Sequence, residues 1–284
     1  MYKPSENIQI GIFDSGVGGL SVWKEIIKIL PTQNFIYFAD SAFAPYGPRP
    51  ATQIIERAQL ISEFLINKGA SIIVVACNTA TSAAITHLRE QFRIPFIGME
   101  PAVKPASALT RSGVIGVLAT RGTLGGSLYN STLEKFASGV KVIEMVGDGL
   151  VPLIEAGNLS GNETMDLLRR YILPMVEGGA DCIVLGCTHY PFIRESIKKI
   201  AGESVTIIDP APAVARHLYK VSVEKGLSDM FFYDNIIAAD LYKSCYSNTL
   251  FYSTGDISTL VKMAKSIVPG IPDNCFIETE LKRP

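Results

Sequence analysis

The sequence predicts an α/β protein of two pseudo-symmetric lobes, each a mainly parallel sheet flanked by helices, with an active site in the cleft between them. Three observations lead there. Short runs rich in β-branched residues alternate with stretches of helical period. The runs are apolar throughout, not on one side only. The whole arrangement occurs twice. Strands apolar on both faces belong in parallel sheets covered by helices on both sides.

In chain order, the strand-like runs are 8–13, 34–39, 71–76 and 95–98, then 114–118, 140–146, 181–185 and 205–208, each followed by Gly, Asp, Ser or Asn. Their length suits buried strands and falls far short of a membrane span. Helical patterns lie between them. Over 52–68, for example, Ile54, Ile55, Ala58, Ile61, Phe64 and Leu65 fall on one face. IGIFDS at 10–15 returns as IGVLAT at 115–120, and ASIIVVACNT at 70–79 returns as ADCIVLGCTH at 180–189. FIGMEPAV at 96–103 returns as TIIDPAPAV at 206–214. Three matches in one order at nearly one shift divide the chain into lobes at 1–101 and 102–212. From about Ala213 the pattern weakens. The segment 213–284 is free to cap either lobe, and packing back on the first is expected.

Composition narrows the classes of function. Hydrophobic residues make up 48% and charged ones 19%, which suits a folded chain and not a disordered one. Basic and acidic residues nearly balance at 26 and 27, without a basic run, so no nucleic-acid partner is expected. No run spans a bilayer, and the opening MYKPSENIQIGIF lacks a basic segment followed by an apolar one. A cytoplasmic location without membrane attachment is therefore expected. Five cysteines without paired CxxC motifs read as free thiols.

Ligands of open parallel sheets bind beyond the carboxyl ends of the strands. Those ends carry Asp14-Ser15, Cys77-Asn78-Thr79, Thr120 and Cys187-Thr188-His189. Cys77 and Cys187 occupy equivalent points of the two repeats. A buried cysteine is otherwise a small hydrophobe, the reading kept for Cys182, Cys245 and Cys275. At a helix N-terminus, however, a thiol is expected to fall below its usual pKa of roughly 8.5. Two matched acid/base groups on opposite lobes are what stereochemical inversion requires. One thiolate takes the α-proton from one face, and the opposite thiol returns a proton to the other. A hydrolase with a single nucleophile has no use for a second matched thiol.

Asp14 is placed to hold a substrate ammonium or to assist Cys77, and it also suits a helix N-cap. His189 is within reach of Cys187 and able to stabilise its thiolate. Glu155 reads from its own surroundings as a surface helix residue, and His87 and His217 as structural. Backbone amides of the DSGVGG stretch, 14–19, suit a carboxylate or a phosphate. The glycines do not follow GxGxxG, and Asp14 would repel a pyrophosphate. Asn78, Thr79, Thr120 and Thr188 add neutral donors. Tyr46-Gly47 lies in a turn by composition, a surface loop by default, with a tyrosine able to cover a pocket. Zinc on Cys77 and Cys187-x-His189 departs from the usual spacing, so no metal is expected.

Taken together, IGIFDSGVGGLSV, YFADSAFAPYGPR, VVACNTATS, GMEPAV, GVLATRGT, VPLIEAG, LGCTHYP and IDPA resemble the glutamate racemases. They run in family order from Ile10 to about Ala213, and DSGVGG, PYG, ACNTAT and LGCTHYP are specific as a set. The resemblance implies interconversion of L- and D-glutamate, supplying D-glutamate for peptidoglycan, with Cys77 and Cys187 as the proton donor/acceptors. It implies substrate contacts from Asp14, Ser15, Tyr46, Gly47, Asn78, Thr79, Thr188 and His189. It makes Glu155 an auxiliary acid/base and gives Thr120 and Thr123 a part in shaping the cleft. It also implies no pyridoxal phosphate, metal or nucleotide, and a homodimer. Residues 221–248 match no family pattern. The chain lacks the long N-terminal extension associated with members activated by a cell-wall precursor, and the resemblance assigns neither an effector nor a dimer geometry. The rival readings are an aspartate racemase, a two-lobed amino-acid-binding protein and a dithiol redox protein.

Overall fold

The computed structural model describes residues 8–227 and 248–281, and every strand pairing within them is parallel. The first repeat supplies β1 (Gln9–Asp14), β2 (Asn34–Ala39), β3 (Ile72–Val75) and β4 (Phe96–Gly98). The second supplies β5 (Val114–Ala119), β6 (Lys141–Val146), β7 (Cys182–Gly186) and β8 (Thr206–Ile208). Spatial order is β2-β1-β3-β4 in one sheet and β6-β5-β7-β8 in the other, the same winding twice. Each expected run is one of these strands, displaced by at most one or two residues. Register makes the duplication exact to the residue: Phe13 pairs with Val75, and Leu118 with Leu185. Ser15 therefore ends beside Cys77, and Thr120 beside Cys187.

Crossover helices cover the sheets. They are α1 (Leu20–Ile29), α2 (Ala51–Asn67), α3 (Asn78–Gln91) and α4 (Val103–Leu109), then α5 (Arg121–Leu124), α6 (Ser127–Phe136), α7 (Leu150–Glu155), α8 (Asn162–Glu177), α9 (Arg194–Ala201) and α10 (Ala211–Glu224). The strands β1, β3 and β7 are buried along nearly their whole length, as runs of continuous apolar character require.

Sequence reasoning did not anticipate the elements beyond residue 248. Thr249–Ser253 forms β9, Ser258–Ile267 forms α11 and Phe276–Glu278 forms β10. β9 pairs with β2, and β10 with β9, which widens the first sheet to β10-β9-β2-β1-β3-β4. Polar Thr249 and Ser253 and exposed Leu250 gave these strands no continuous apolar signature. Most of 221–248, and Cys245 with it, lies outside the described residues.

One apolar cluster runs through both lobes and joins Trp23, Ile26 and Phe251 to Leu118, Ile183 and Leu218. Fully burying a side chain of this size stabilises by roughly 1.5–3 kcal/mol, so the lobes share a core and do not merely touch. Two further clusters fill the outer faces, one around Phe13, Phe38 and Ile61, the other around Ile115, Val117 and Tyr129. Among the described residues, no helix is long and apolar enough to cross a membrane.

Candidate active site

Asp14 closes β1 with its side chain fully buried. The Gly16 amide donates to its Oδ1 at 2.9 Å, and the Thr188 hydroxyl, from the other lobe, to its Oδ2 at 3.1 Å. It folds back on the following loop and does not cap α1, whose N-cap is Gly19. Burial raises its pKa above the usual carboxylate value, with the Glu155 charge adding to it; His189 and the Gly16 amide only partly offset this. The loop after Asp14 is pinned as well. Tyr37 OH donates to the Gly16 carbonyl at 2.9 Å, and Ser21 Oγ to the Thr188 carbonyl at 2.9 Å.

The backbone amides of this loop do receive a carboxylate, and it is one of the protein's own. Val17 N–H donates to Glu155 Oε1 at 2.9 Å across the lobe boundary. A Cβ on Gly16 would collide with the Glu155 carboxylate, and one on Gly18 with the His189 ring. Glycine is thus required by close approach, not by a nucleotide.

Cys77 is the N-cap of α3, its Sγ accepting from the Ala80 amide at 3.4 Å. That contact lowers the thiol pKa, as expected of a helix N-terminus, but it is outweighed. Burial first, then the Asp14 carboxylate, push the Cys77 thiol well up. The expectation of a lowered pKa is therefore corrected: the cap is visible in sequence, whereas the depth of burial is not. Asn78, 3% exposed, keeps both Oδ1 and Nδ2 without a hydrogen-bond partner. Thr79 Oγ1 lies 2.9 Å from Thr120 Oγ1, which lies 2.9 Å from Thr123 Oγ1, a chain of hydroxyls crossing from lobe to lobe.

Cys187 follows β7 and leads through a turn into a single 3₁₀ segment, Tyr190–Ile193, and not directly into an α-helix. Its Sγ lies 3.7 Å from His189 Nδ1, and His189 Nε2 lies 2.6 Å from Glu155 Oε1. Burial disfavours the imidazolium, yet the Cys187 sulfur and the Glu155 carboxylate outweigh it and hold His189 well above its ordinary pKa. Burial likewise works against the Glu155 charge. The bond and charge of His189, with the Val17 amide, hold that carboxylate below its ordinary value. Glu155, a surface residue by its sequence surroundings alone, is a largely buried partner of His189.

Tyr46 is not in a solvated loop. It is 1% exposed, and its hydroxyl donates to Asp40 Oδ2 at 2.5 Å. Ser15, Tyr46, Gly47, Cys77, Asn78 and Thr79 line a narrow cleft from the first lobe, and Thr120, Cys187, Thr188 and His189 from the second. The cleft is nearly closed, with internal free space of only about 10 Å³. Asp14 and Glu155 stand behind this wall. His87 and His217 are remote from it on α3 and α10, and neither Cys182 nor Cys275 lines it. Sequence reasoning missed Val151, which lines the cleft, and the group of Asp40, Arg57 and Thr254 behind Tyr46. Asp40 did carry a signal, as a carboxylate immediately after β2, one position beyond the residue that pairs with Asp14.

Comparison with known proteins agrees with this geometry. The Asp/Glu/Hydantoin racemase family model matches residues 10–218. A glutamate racemase from Roseiflexus sp. (strain RS-1) is 49% identical over 219 residues, covering 77% of this chain and 80% of its own. The crystal structure of a glutamate racemase isoform from Bacillus anthracis superposes with a TM-score of 0.81 at 31% identity, covering 99% of both chains. That of a glutamate racemase from Francisella tularensis, in complex with D-glutamate, gives 0.79 at 28% identity over 97% of this chain and 98% of that one.

Proposed function

Since the chain belongs to the Asp/Glu/Hydantoin racemase family, we propose that it interconverts L- and D-glutamate without a cofactor, passing the α-proton between Cys77 and Cys187. One observation carries this reading above the others: thiols at equivalent strand ends of two duplicated sheets line one narrow cleft. An amino-acid-binding protein needs no such pair. The reading is also supported by relatives of about half identity that bear this activity in their names.

In this reading the α-carbon lies between the two sulfurs, with its hydrogen toward one of them. Removal of the proton develops negative charge that no cofactor absorbs, so fixed donors have to stabilise it. The free carboxamide of Asn78 and the hydroxyls of Ser15, Thr79 and Thr120 are the donors available, that of Thr188 being committed to Asp14. The two sulfurs are served differently. Cys187 has the His189 ring 3.7 Å from its sulfur, and Glu155 holds the other ring nitrogen at 2.6 Å. Cys77 is kept protonated by burial and by Asp14, ready to donate. In the reverse direction the two exchange protonation states.

The same reading takes 1–101 and 102–212 as lobes carrying one thiol each, with 213–284 attached to the first, supported by the pairing of β9 with β2. It places the enzyme in the cytoplasm as a homodimer that supplies D-glutamate for peptidoglycan. The test is incubation with L-glutamate in D₂O without added cofactor, following optical rotation and α-deuterium by NMR. Loss of rotation with deuterium entering at the α-carbon is expected. Cys77→Ser and Cys187→Ser should each lose about 10²–10⁴-fold in rate, the scale of a positioned acid or base. Retention of both rotation and α-hydrogen by the parent protein would defeat the proposal, and exchange of aspartate alone would change the substrate.

A further inference from the structure

Behind the turn at Tyr46 and Gly47 lies a buried carboxylate that the proton transfer does not use. Asp40, which follows β2, is fully buried, and both of its oxygens are doubly engaged. Arg57 Nη2 donates to Oδ1 at 2.7 Å and Thr254 Oγ1 to the same atom at 2.8 Å. Arg57 Nε donates to Oδ2 at 2.9 Å, and the Tyr46 hydroxyl to the same atom at 2.5 Å. Arg57 comes from α2 and is fixed on its other side by the ring of Phe43, 3.9 Å from the guanidinium carbon. Thr254 follows β9, beyond the residues the family model matches. A buried ion pair is costly unless its remaining lone pairs are satisfied, and here they are.

None of Asp40, Arg57 and Thr254 lines the cleft, so whatever they do for the reaction passes through Tyr46. Buried beside a carboxylate, the Tyr46 phenol is held well above the usual tyrosine range and stays protonated. Its hydroxyl is committed to Asp40, while residues 45–47 form the first lobe's wall of the cleft. That wall meets the second lobe directly. A Cβ built on Gly47 would stand 3.3 Å from Thr120 Cβ, and one on Gly122 would stand 3.2 Å from the Gly47 carbonyl. The position of this turn therefore sets the width of the cleft where the lobes meet.

We propose that Asp40 is a positioning residue for racemisation: anchored by Arg57 and Thr254, its carboxylate fixes the Tyr46–Gly47 turn at the spacing that closes the cleft on glutamate. The proposal rests on the glutamate racemase reading and extends the site to a residue of the C-terminal segment. Thr254→Val and Tyr46→Phe each delete one hydrogen bond to the carboxylate with little change in volume. Each should raise KM for both enantiomers by roughly 5- to 20-fold, the scale of one charge-assisted hydrogen bond. For Thr254→Val, which lies outside the cleft, turnover should stay within about twofold and the pH profile should not move, as when binding alone is weakened. The double variant should lose less than the product of the singles, because both act through one carboxylate. Asp40→Asn should raise KM further; should it not fold, the other two variants carry the test. Lowered melting temperatures with unchanged KM would reduce the group to a structural ion pair and overturn the proposal. A shifted pH profile would overturn it in favour of a part in proton transfer. A parent protein that leaves the α-hydrogen of glutamate in place fails earlier, and takes the racemase reading down with the proposal.

Discussion

At the scale of single residues, the His189–Glu155 contact makes activity and stability depend on pH in a definite sense. His189 is raised above its ordinary value of 6.5, so its stabilising share is complete below that pH and lost as pH climbs through the folded value. Glu155 is lowered from 4.5, so its share is complete above that pH and lost as pH falls through its folded value. Asp14 runs the other way. Raised from 3.8, it favours the fold when protonated and costs stability above that pH. Glu155→Gln should let His189 fall back toward its ordinary value and move the basic limb of kcat/KM to lower pH. The rate at pH 8 should drop roughly ten- to a hundredfold, the loss of a group that tunes a proton carrier without being one. A pH–rate profile that superposes on the parent's would contradict this. None of the pairing was legible in sequence: His189 and Glu155 are 34 positions apart, and only the likeness of VPLIEAG to a family stretch singled Glu155 out. The two cysteines were legible because a repeat places them, independent of any partner.

Among the elements, α3 shows how one residue serves fold and chemistry together. Cys77 caps this helix through Sγ, and serine can accept the same Ala80 amide whereas alanine cannot. Cys77→Ala should therefore be less stable than Cys77→Ser by about 1 kcal/mol, although both lose activity. Thermal unfolding of the two variants distinguishes a cap from an incidental contact, since equal midpoints would mean the sulfur caps nothing. The loop before α1 makes a sharper case. Gly18→Ala should displace the His189 ring and cost most of the activity while far-UV circular dichroism stays native, because the added methyl meets a side chain and not the sheet. Full activity in that variant would mean that His189 can move without consequence. Eight strands were legible because most are buried on both faces and read as near-continuous apolar runs; β6, with Lys141 and Glu144 and no buried residue, was placed by the repeat more than by burial. β9 and β10 were not legible. Short and partly polar, they become strands only because β2 offers an unpaired edge, and no local pattern carries that information.

For the molecule as a whole, the segment after residue 248 is part of the first sheet and of the shared core. Phe251 packs edge-on against Trp23 and stacks with Phe276, so a chain ending at residue 227 would expose the edge of β2 and the face of α1. Such a truncation should lose its near-ultraviolet signal and cooperative melting; a midpoint within about 5 °C of the parent's would show the segment to be dispensable. The duplicated sheets have a limit of a different kind, visible at the thiols. Their backbones are related by the repeat, but a carboxyl group stands behind one sulfur and an imidazole ring beside the other. L- and D-glutamate are mirror images of equal free energy, so the ratio of forward to reverse kcat/KM is fixed at unity by thermodynamics. Unequal surroundings can appear only as kcat and KM that differ between the enantiomers and compensate each other. A substitution on the His189 side can slow the exchange or redistribute the two constants, but it cannot make the catalyst favour one hand. Any lasting excess of D-glutamate then has to come from whatever consumes it, with this protein as a passive exchanger between two equal pools.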